Sequence, residues 1–135
     1  MSLTLEFQEN VAILTHDDGK RNVFSPDAIR DFNEALDEVE AKSASLMWLG
    51  REGCFSAGFD LKVISNGDAD AAAAMVKAGG ALAFRIFTFP HPVVCAVTGH
   101  CLALGSVMLV CADKRLGIEG CLLYTSDAAD DFTSV

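Results

Sequence analysis

The residues with the clearest potential for chemistry lie between positions 92 and 108, where a predicted strand, turn and helix follow one another. Residues 93–97 are apolar and predict a buried strand, and a second apolar run predicts a helix. The first N–H groups of a helix have no partner within it, so they attract a bound anion or an oxyanion formed during a reaction. The same pattern is also typical of a buried strand–turn–helix unit without a ligand. The small residues that would leave this backbone open to a ligand are Gly99, Ala103, Gly105 and Ser106.

Two further segments carry residues that could serve the same chemistry. Residues 54–61 include several small residues and are predicted as a loop. Residues 20–24 are predicted as a second loop, which carries Lys20 and Arg21, and Lys62 lies just beyond the first loop. These three cations could bind a phosphate, or they could be solvated surface charges.

The elements that must position these loops are indicated by hydrophobic periodicity. Residues 3–8 and 11–15 predict a β-hairpin, and 46–49, 93–97 and 113–117 predict further strands. Ser25 as N-cap and Pro26 at the first helical position begin a helix that ends near residues 42–43. An alanine-rich helix is predicted over 69–87, with Gly79–Gly80 as a weak point or kink. With the apolar helix after Ala103, the order β, β, α, β, α, β, α, β predicts an α/β fold.

Size, composition and charge restrict the class of protein. A chain of 135 residues with 51% hydrophobic and 21% charged residues fits one globular domain. The net charge of −9 disfavours nucleic acid and anionic membranes as partners. The start of the chain is unlike a signal peptide, and no run of 18 apolar residues occurs, so a cytoplasmic protein is expected. Five cysteines at no zinc or redox spacing predict buried free thiols and no metal site.

Four motifs in order along residues 3–120 resemble the enoyl-CoA hydratase/isomerase (crotonase) superfamily. A single Ala-Gly-x-Asp motif would be weak evidence, whereas the ordered set is specific. The resemblance implies an α/β, crotonase-like (ClpP/crotonase) fold of repeated ββα units, here truncated. The four motifs are Asn22-Val23-Phe24, Phe55-Ser56-Ala57-Gly58-Phe59-Asp60-Leu61, Pro92-Val93-Val94-Cys95-Ala96-Val97-Thr98-Gly99 and Cys111-Ala112-Asp113.

This resemblance implies a site for an acyl-CoA thioester, whose carbonyl oxygen becomes an enolate-like oxyanion. It places the two backbone N–H donors of the oxyanion hole on Phe59 and Leu104. Losing one donor from such a hole typically costs about 10²–10³ in rate. The acyl-CoA is then the substrate, and no cofactor is expected. The other residues that the resemblance places against substrate or CoA are Arg21, Asn22, Val23, Ala57, Gly58, Asp60, Leu61 and Gly105.

Two side chains near these loops are given other roles. Asp60 is expected to cap or brace its loop, because a carboxylate beside a developing oxyanion would oppose it. His100 is expected to be a wall residue of the pocket rather than a base.

The chain departs from the family in two places. Family hydratases use two glutamates, and the position of the first is occupied by Val107, which cannot carry a proton. The second would lie beyond residue 120, where residues 121–135 do not resemble the family and look like a translated sequencing-library adapter. We therefore expect an incomplete acyl-CoA-binding domain over 1–120, a poorly packed non-native tail over 121–135, and an inactive chain. A full-length relative is implied to be a homotrimer or hexamer.

Three alternatives remain open at this point. The first is an enoyl-CoA isomerase, since double-bond migration can proceed with one carboxylate. The second is an acyl-CoA binder without catalysis, which Val107 favours. The third and most remote is a Clp-type serine hydrolase that uses Ser106, although the chain has no Gly-x-Ser-x-Gly motif.

Overall fold

The computed structural model describes residues 2–117, 119–120 and 123–124, the last pair by backbone alone. The described chain forms, in order, β1 (Leu3–Gln8), β2 (Val11–His16), β3 (Val23–Phe24), α1 (Pro26–Ala41), β4 (Ser45–Leu49), β5 (Gly53–Ser56), β6 (Gly58–Phe59), α2 (Leu61–Ser65), α3 (Ala69–Phe87), β7 (Val93–Ala96), β8 (Gly99–Leu102), α4 (Leu104–Cys111), β9 (Lys114–Leu116) and β10 (Leu123–Tyr124).

A five-stranded sheet with the order β1-β2-β4-β7-β9 forms the framework. β1 and β2 make an antiparallel hairpin, and β2, β4, β7 and β9 pair in parallel. Parallel neighbours need helical crossovers, and α1, α3 and α4 supply them. The predicted succession of strands and helices is confirmed for these elements, and the fold is α/β.

The two long helices start where the sequence indicates. The hydroxyl of Ser25 accepts the N–H of Ala28 at the start of α1, and Asp68 accepts that of Ala71 at the start of α3. Arg85 of α3 then contacts Asp37 of α1 at 2.7 Å, which joins the outer parts of the two helices.

The core beside these helices is rich in rings. Trp48 is fully buried and lies 4.9 Å from Phe32 and 5.0 Å from Phe55, measured between ring centroids. Phe24 packs against Trp48 and Phe32, and the ring of His16 packs against both phenylalanines. Residues from β2, β3, α1, β4 and β5 therefore share one aromatic cluster directly beneath the predicted loops.

The predictions of continuous loops at 20–24 and 54–61, and of only a turn between the strand 93–97 and the following helix, are wrong. Residues 23–24 and 58–59 are the paired strands β3 and β6, and β5 and β8 pair in parallel, with β10 on the other side of β8. These strands have only two to four residues, too few for alternation of apolar and polar residues to reveal them. The predicted loop segment 54–61 also reaches the first residue of the short helix α2.

The helix predicted over 69–87 is confirmed, and α3 runs from Ala69 to Phe87 without a break at Gly79–Gly80. Gly79 is buried and Gly80 is exposed. Gly79 thus lies at a close helix contact, and Gly80 faces solvent.

Other sequence predictions have mixed outcomes. Cys95 and Cys101 are buried free thiols, and burial raises the pKa of each to about 12, but Cys54 and Cys111 are only half-buried. The prediction for residues 121–135 falls outside the described residues, apart from the backbone of 123–124 in β10. In the described ranges, no helix combines the length and the hydropathy that crossing a bilayer would require.

Candidate functional site

Asn22 organises the segment between β2 and β3. It is fully buried with a φ of 53°, a conformation that asparagine tolerates better than most residues. Its Nδ2 donates to the carbonyl of His16 at 2.6 Å and to those of Cys54 and Phe55 at 3.2 Å, while its Oδ1 accepts the N–H of Asp18. The side chain of Asn22 is thus occupied within the protein and holds the loop rather than facing a ligand.

The carboxylate of Asp18 closes the same loop. It accepts the N–H groups of Lys20 at 2.7 Å, Asn22 at 2.9 Å and Val23 at 3.1 Å. Partial burial acts to raise the pKa of Asp18, but the three backbone hydrogen bonds outweigh it and hold the pKa below its ordinary value. The loop therefore keeps a fixed shape around an ionised carboxylate.

Below this loop, the ring of His16 is buried without a hydrogen-bond partner for either nitrogen among the described residues. Burial lowers the pKa of His16 to about 4, and the nearby Asp18 and Asp17 oppose the shift only in part. The neutral ring acts as one more member of the aromatic cluster.

Three cations line the open side of the loop. Lys20, Arg21 and Lys62 border a cavity of about 640 Å³ together with Asp18, Val23 and Asp60. Within the described part of the chain, none of the three forms an ion pair. A second cavity shares Arg21, Val23, Asp60 and Lys62 with the first and continues to Ala57, Phe59, Leu61 and Leu102. The two cavities form one groove that leads from the cations to the β5–β6 turn.

The β5–β6 turn contacts the start of α4 through Gly58, whose φ is +96°. A methyl group built on Gly58 would lie 2.7 Å from Ala103 Cβ and 3.2 Å from the amide nitrogen of Leu104. The amide nitrogen of Phe59 is three covalent bonds from that methyl position, a reach under about 4 Å, so it lies within roughly 7 Å of the Leu104 nitrogen. α4 begins at Leu104, and no side chain caps the start of the helix.

Ser56 connects these segments. Its side chain is fully buried, its Oγ donates to the carbonyl of Asn22 at 2.7 Å, and the same Oγ accepts the N–H of Gly58 at 3.0 Å. Gly105 packs on it so closely that a methyl group there would lie 2.8 Å from Ser56 Cβ. The Ala57 N–H adds a bond to the carbonyl of Arg21 at 2.9 Å.

Helix α3 approaches the same point from the other side. A methyl group on Gly79 would lie 2.5 and 2.7 Å from two ring carbons of Phe59 and 3.0 Å from a methyl carbon of Leu104. The side chains of Phe59 and Leu104 therefore meet at Gly79, which only a residue without Cβ permits.

The remaining predicted residues are placed as follows. Asp60 is the N-cap of α2 and accepts the Lys62 N–H at 3.0 Å, so its predicted capping role is confirmed. Leu61 is exposed at the start of α2, and Val107 is 43% exposed on α4. His100 is exposed on β8. Among the described residues, no group of three or more His, Cys, Asp or Glu could hold a metal ion.

Ser106 does not have the environment of a nucleophile. It is 8% exposed, and its Oγ donates to the carbonyl of Cys101 at 2.9 Å. A hydrolytic serine needs an accessible oxygen beside a base. This placement argues against the Clp-type hydrolase alternative.

The sequence analysis did not identify the roles of Ser56 and Gly79 in this arrangement. A serine two residues before a glycine is a pattern for a local hydroxyl–amide bond, and it could have indicated the Ser56–Gly58 contact. No sequence signal distinguishes Gly79 from Gly80, because only the tertiary packing separates them.

Comparison with known proteins gives a consistent result. The family described as enoyl-CoA hydratase/isomerase matches residues 6–119. A Bacillus subtilis (strain 168) protein named probable enoyl-CoA hydratase is 27% identical over 122 residues, which are 87% of this chain and 47% of that protein. The structure of an enoyl-CoA hydratase/isomerase family protein from Pseudomonas syringae superposes with a TM-score of 0.86 at 39% identity, covering 90% of this chain and 52% of that one.

A Mycobacterium tuberculosis protein described as an enoyl-CoA isomerase superposes with a TM-score of 0.84 at 32% identity, covering 89% of this chain and 52% of that one. A second structure of the same protein is described as a probable enoyl-CoA hydratase. The chain spans about half the length of these three relatives, and the fold that it shares with them is the expected truncated crotonase-like α/β fold.

Proposed function

The chain belongs to the enoyl-CoA hydratase/isomerase family, and from this premise we propose that its groove binds an acyl-CoA thioester and that the amides of Phe59 and Leu104 polarise the thioester carbonyl. Two N–H donors on one oxygen stabilise the negative charge that collects there when the thioester is converted to an enolate. Such donors are already oriented before reaction, so they require no reorganisation as the charge develops.

The contact between Gly58 and the start of α4 carries this proposal. Donors that share one oxygen at about 3 Å each lie less than about 6 Å apart, which is compatible with the bound of roughly 7 Å obtained from the Gly58 contact. Asp60, the next residue, donates its N–H to the carbonyl of Phe24 in β3. Since successive N–H groups of a strand point to opposite sides, we expect the Phe59 N–H to point away from β3.

The charge of the groove supports a CoA ester as the ligand. CoA carries phosphates, and the three cations Lys20, Arg21 and Lys62 line the groove against the two carboxylates of Asp18 and Asp60, an excess of one positive charge. None of the three cations forms an ion pair among the described residues. The groove continues to Ala57, Phe59 and Leu102, so a ligand anchored by its phosphates can extend toward the two amides. In this proposal the acyl-CoA is the substrate, and no cofactor takes part.

Val107 limits the chemistry that we propose. The family resemblance puts a hydratase glutamate at this position, and an apolar side chain there removes a proton-transfer group that is typically responsible for about 10²–10⁴ in rate. We therefore propose polarisation without hydration by this chain. The likeness to a protein described as an isomerase supports double-bond migration as the chemistry of a longer relative. The alternative is acyl-CoA binding without turnover.

The test is a titration of the 135-residue chain with free CoA and with a chromophoric aryl-enoyl-CoA thioester. We expect both ligands to bind, the thioester more tightly, with its absorption moved to longer wavelength because a polarised carbonyl draws electrons from the conjugated ring. Failure of both ligands to bind, or a bound thioester with unshifted absorption, would refute the proposal. A parallel assay with a short enoyl-CoA should give no hydration, and turnover at about 1–10³ s⁻¹ would contradict the role assigned to Val107.

A further inference from the structure

We propose that Ser56 is a positioning residue, whose hydroxyl sets the orientation of the Phe59 amide relative to that of Leu104. This inference rests on the proposed function, because it concerns the same pair of donors. Ser56 is outside the set of ligand-contacting residues, since its side chain is fully buried.

The hydrogen bonds of Ser56 fix the direction of its hydroxyl. The O–H donates to the carbonyl of Asn22, so a lone pair of the same oxygen is available to the Gly58 N–H. Holding the Gly58 N–H fixes the plane of the peptide group between Ala57 and Gly58. Because Gly58 is bonded to Phe59, rotation of the Gly58 backbone would turn the Phe59 N–H, which is the proposed donor.

The carbonyl that accepts the hydroxyl belongs to Asn22, whose backbone segment is held by further hydrogen bonds. Asn22 is bonded through its own side chain to the carbonyls of His16, Cys54 and Phe55. The hydroxyl of Ser56 is thus oriented by a rigid, buried acceptor.

The second donor lies against the same residue. Gly105, which follows Leu104, packs on Ser56 with no room for a methyl group between them. Ser56 therefore contacts both segments that carry the proposed donors, by hydrogen bond to one and by packing against the other.

The test compares Ser56→Ala with Ser25→Ala. Both substitutions remove a hydroxyl that accepts a backbone N–H, but the bond of Ser25 is to Ala28 at the start of α1. We expect Ser56→Ala to keep its affinity for free CoA within twofold of wild type and to lose at least half of the absorption shift of the saturated aryl-enoyl thioester. Ser25→Ala should keep the full shift. Ser56→Cys, with a weaker hydrogen-bonding group, should give an intermediate shift and is used if Ser56→Ala does not fold.

A second measurement separates this inference from the proposed function. In ¹⁵N-resolved NMR of the ligand-free chain, Ser56→Ala should shift the amide resonances of Gly58, Phe59 and Leu104 and speed hydrogen exchange at Gly58, whereas Ser25→Ala should leave these unchanged. A wild-type chain that shows no absorption shift refutes the proposed function alone. A full shift in Ser56→Ala, or unchanged Phe59 and Leu104 resonances, overturns the positioning role.

Discussion

Replacing Gly58 by alanine is the most direct perturbation of the contact between the β5–β6 turn and the start of α4. The added methyl group would lie 2.7 Å from Ala103 Cβ and 3.2 Å from the Leu104 nitrogen, and it would also occupy a backbone with a φ of +96°. The conformation alone costs alanine about 1–2 kcal/mol. Overpacking adds about 1–3 kcal/mol, so we expect a loss of unfolding free energy of about 2–5 kcal/mol and an outward shift of the β5–β6 turn.

Gly67→Ala is the matched control for this substitution. Gly67 has a similar φ of +88°, and a methyl group there meets nothing within 4 Å. It should lose about 1–2 kcal/mol of unfolding free energy through conformation alone. The difference between the two variants therefore isolates the contact of Gly58 with the start of α4.

The assay is the ratio of thioester affinity to free CoA affinity, measured by titration of each folded variant. A hydrogen bond contributes about 0.5–1.5 kcal/mol, so loss of one donor should lower this ratio about twofold to tenfold in Gly58→Ala and leave it unchanged in Gly67→Ala. An unchanged ratio in Gly58→Ala, or an equal fall in both variants, would refute the reasoning that joins the two amides.

Three further predictions follow from the described contacts. The pKa of His16 lies near 4 in the folded chain, below its ordinary value of 6.5, so the unfolded chain binds the proton more readily. Urea unfolding should therefore show a free energy of unfolding that is full above pH 6.5 and falls by up to about 3 kcal/mol toward pH 4. His16→Phe should remove this contribution to the pH dependence of stability. Arg21→Gln should weaken CoA binding about twofold to fivefold and reduce its salt dependence, while Arg30→Gln, whose side chain faces Asp27 and Asp31 on α1, should change neither. Gly80→Ala should raise the unfolding free energy by about 0.5–1 kcal/mol, because the added Cβ meets nothing within 4 Å. Gly79→Ala should lower the unfolding free energy, because the added Cβ would collide with the Phe59 ring. Thermal unfolding that ranks the two variants the other way would contradict the assigned packing.

The long elements could be predicted from the sequence because their signals are local. Ser25 and Pro26 begin α1, and the hairpin β1–β2 alternates apolar and polar residues over its length. The strands β3, β5, β6 and β8 were missed because they are two to four residues long and three of them begin with a glycine, which indicates a turn; pairing with a distant segment stabilises them.

The candidate site was likewise predicted only in part from the sequence. The resemblance indicated both loops and the start of α4 at Leu104, which the structure has as the first helical residue. It gave no sign that Asn22 would turn its side chain inward, because that depends on carbonyls of Cys54 and Phe55 more than 30 residues away. The different environments of Gly79 and Gly80 likewise arise only when α3 packs against Phe59.

The shared aromatic cluster has a consequence for the kinetics of ligand capture. Phe24 and Phe55, which anchor the two sides of the groove, both pack on the fully buried Trp48. A hinge motion of one side against the other would have to break this packing, and close-packed interiors resist such deformation. The groove should therefore admit its ligand without a slow conformational step, so the observed association rate should rise linearly with ligand concentration and reach no plateau.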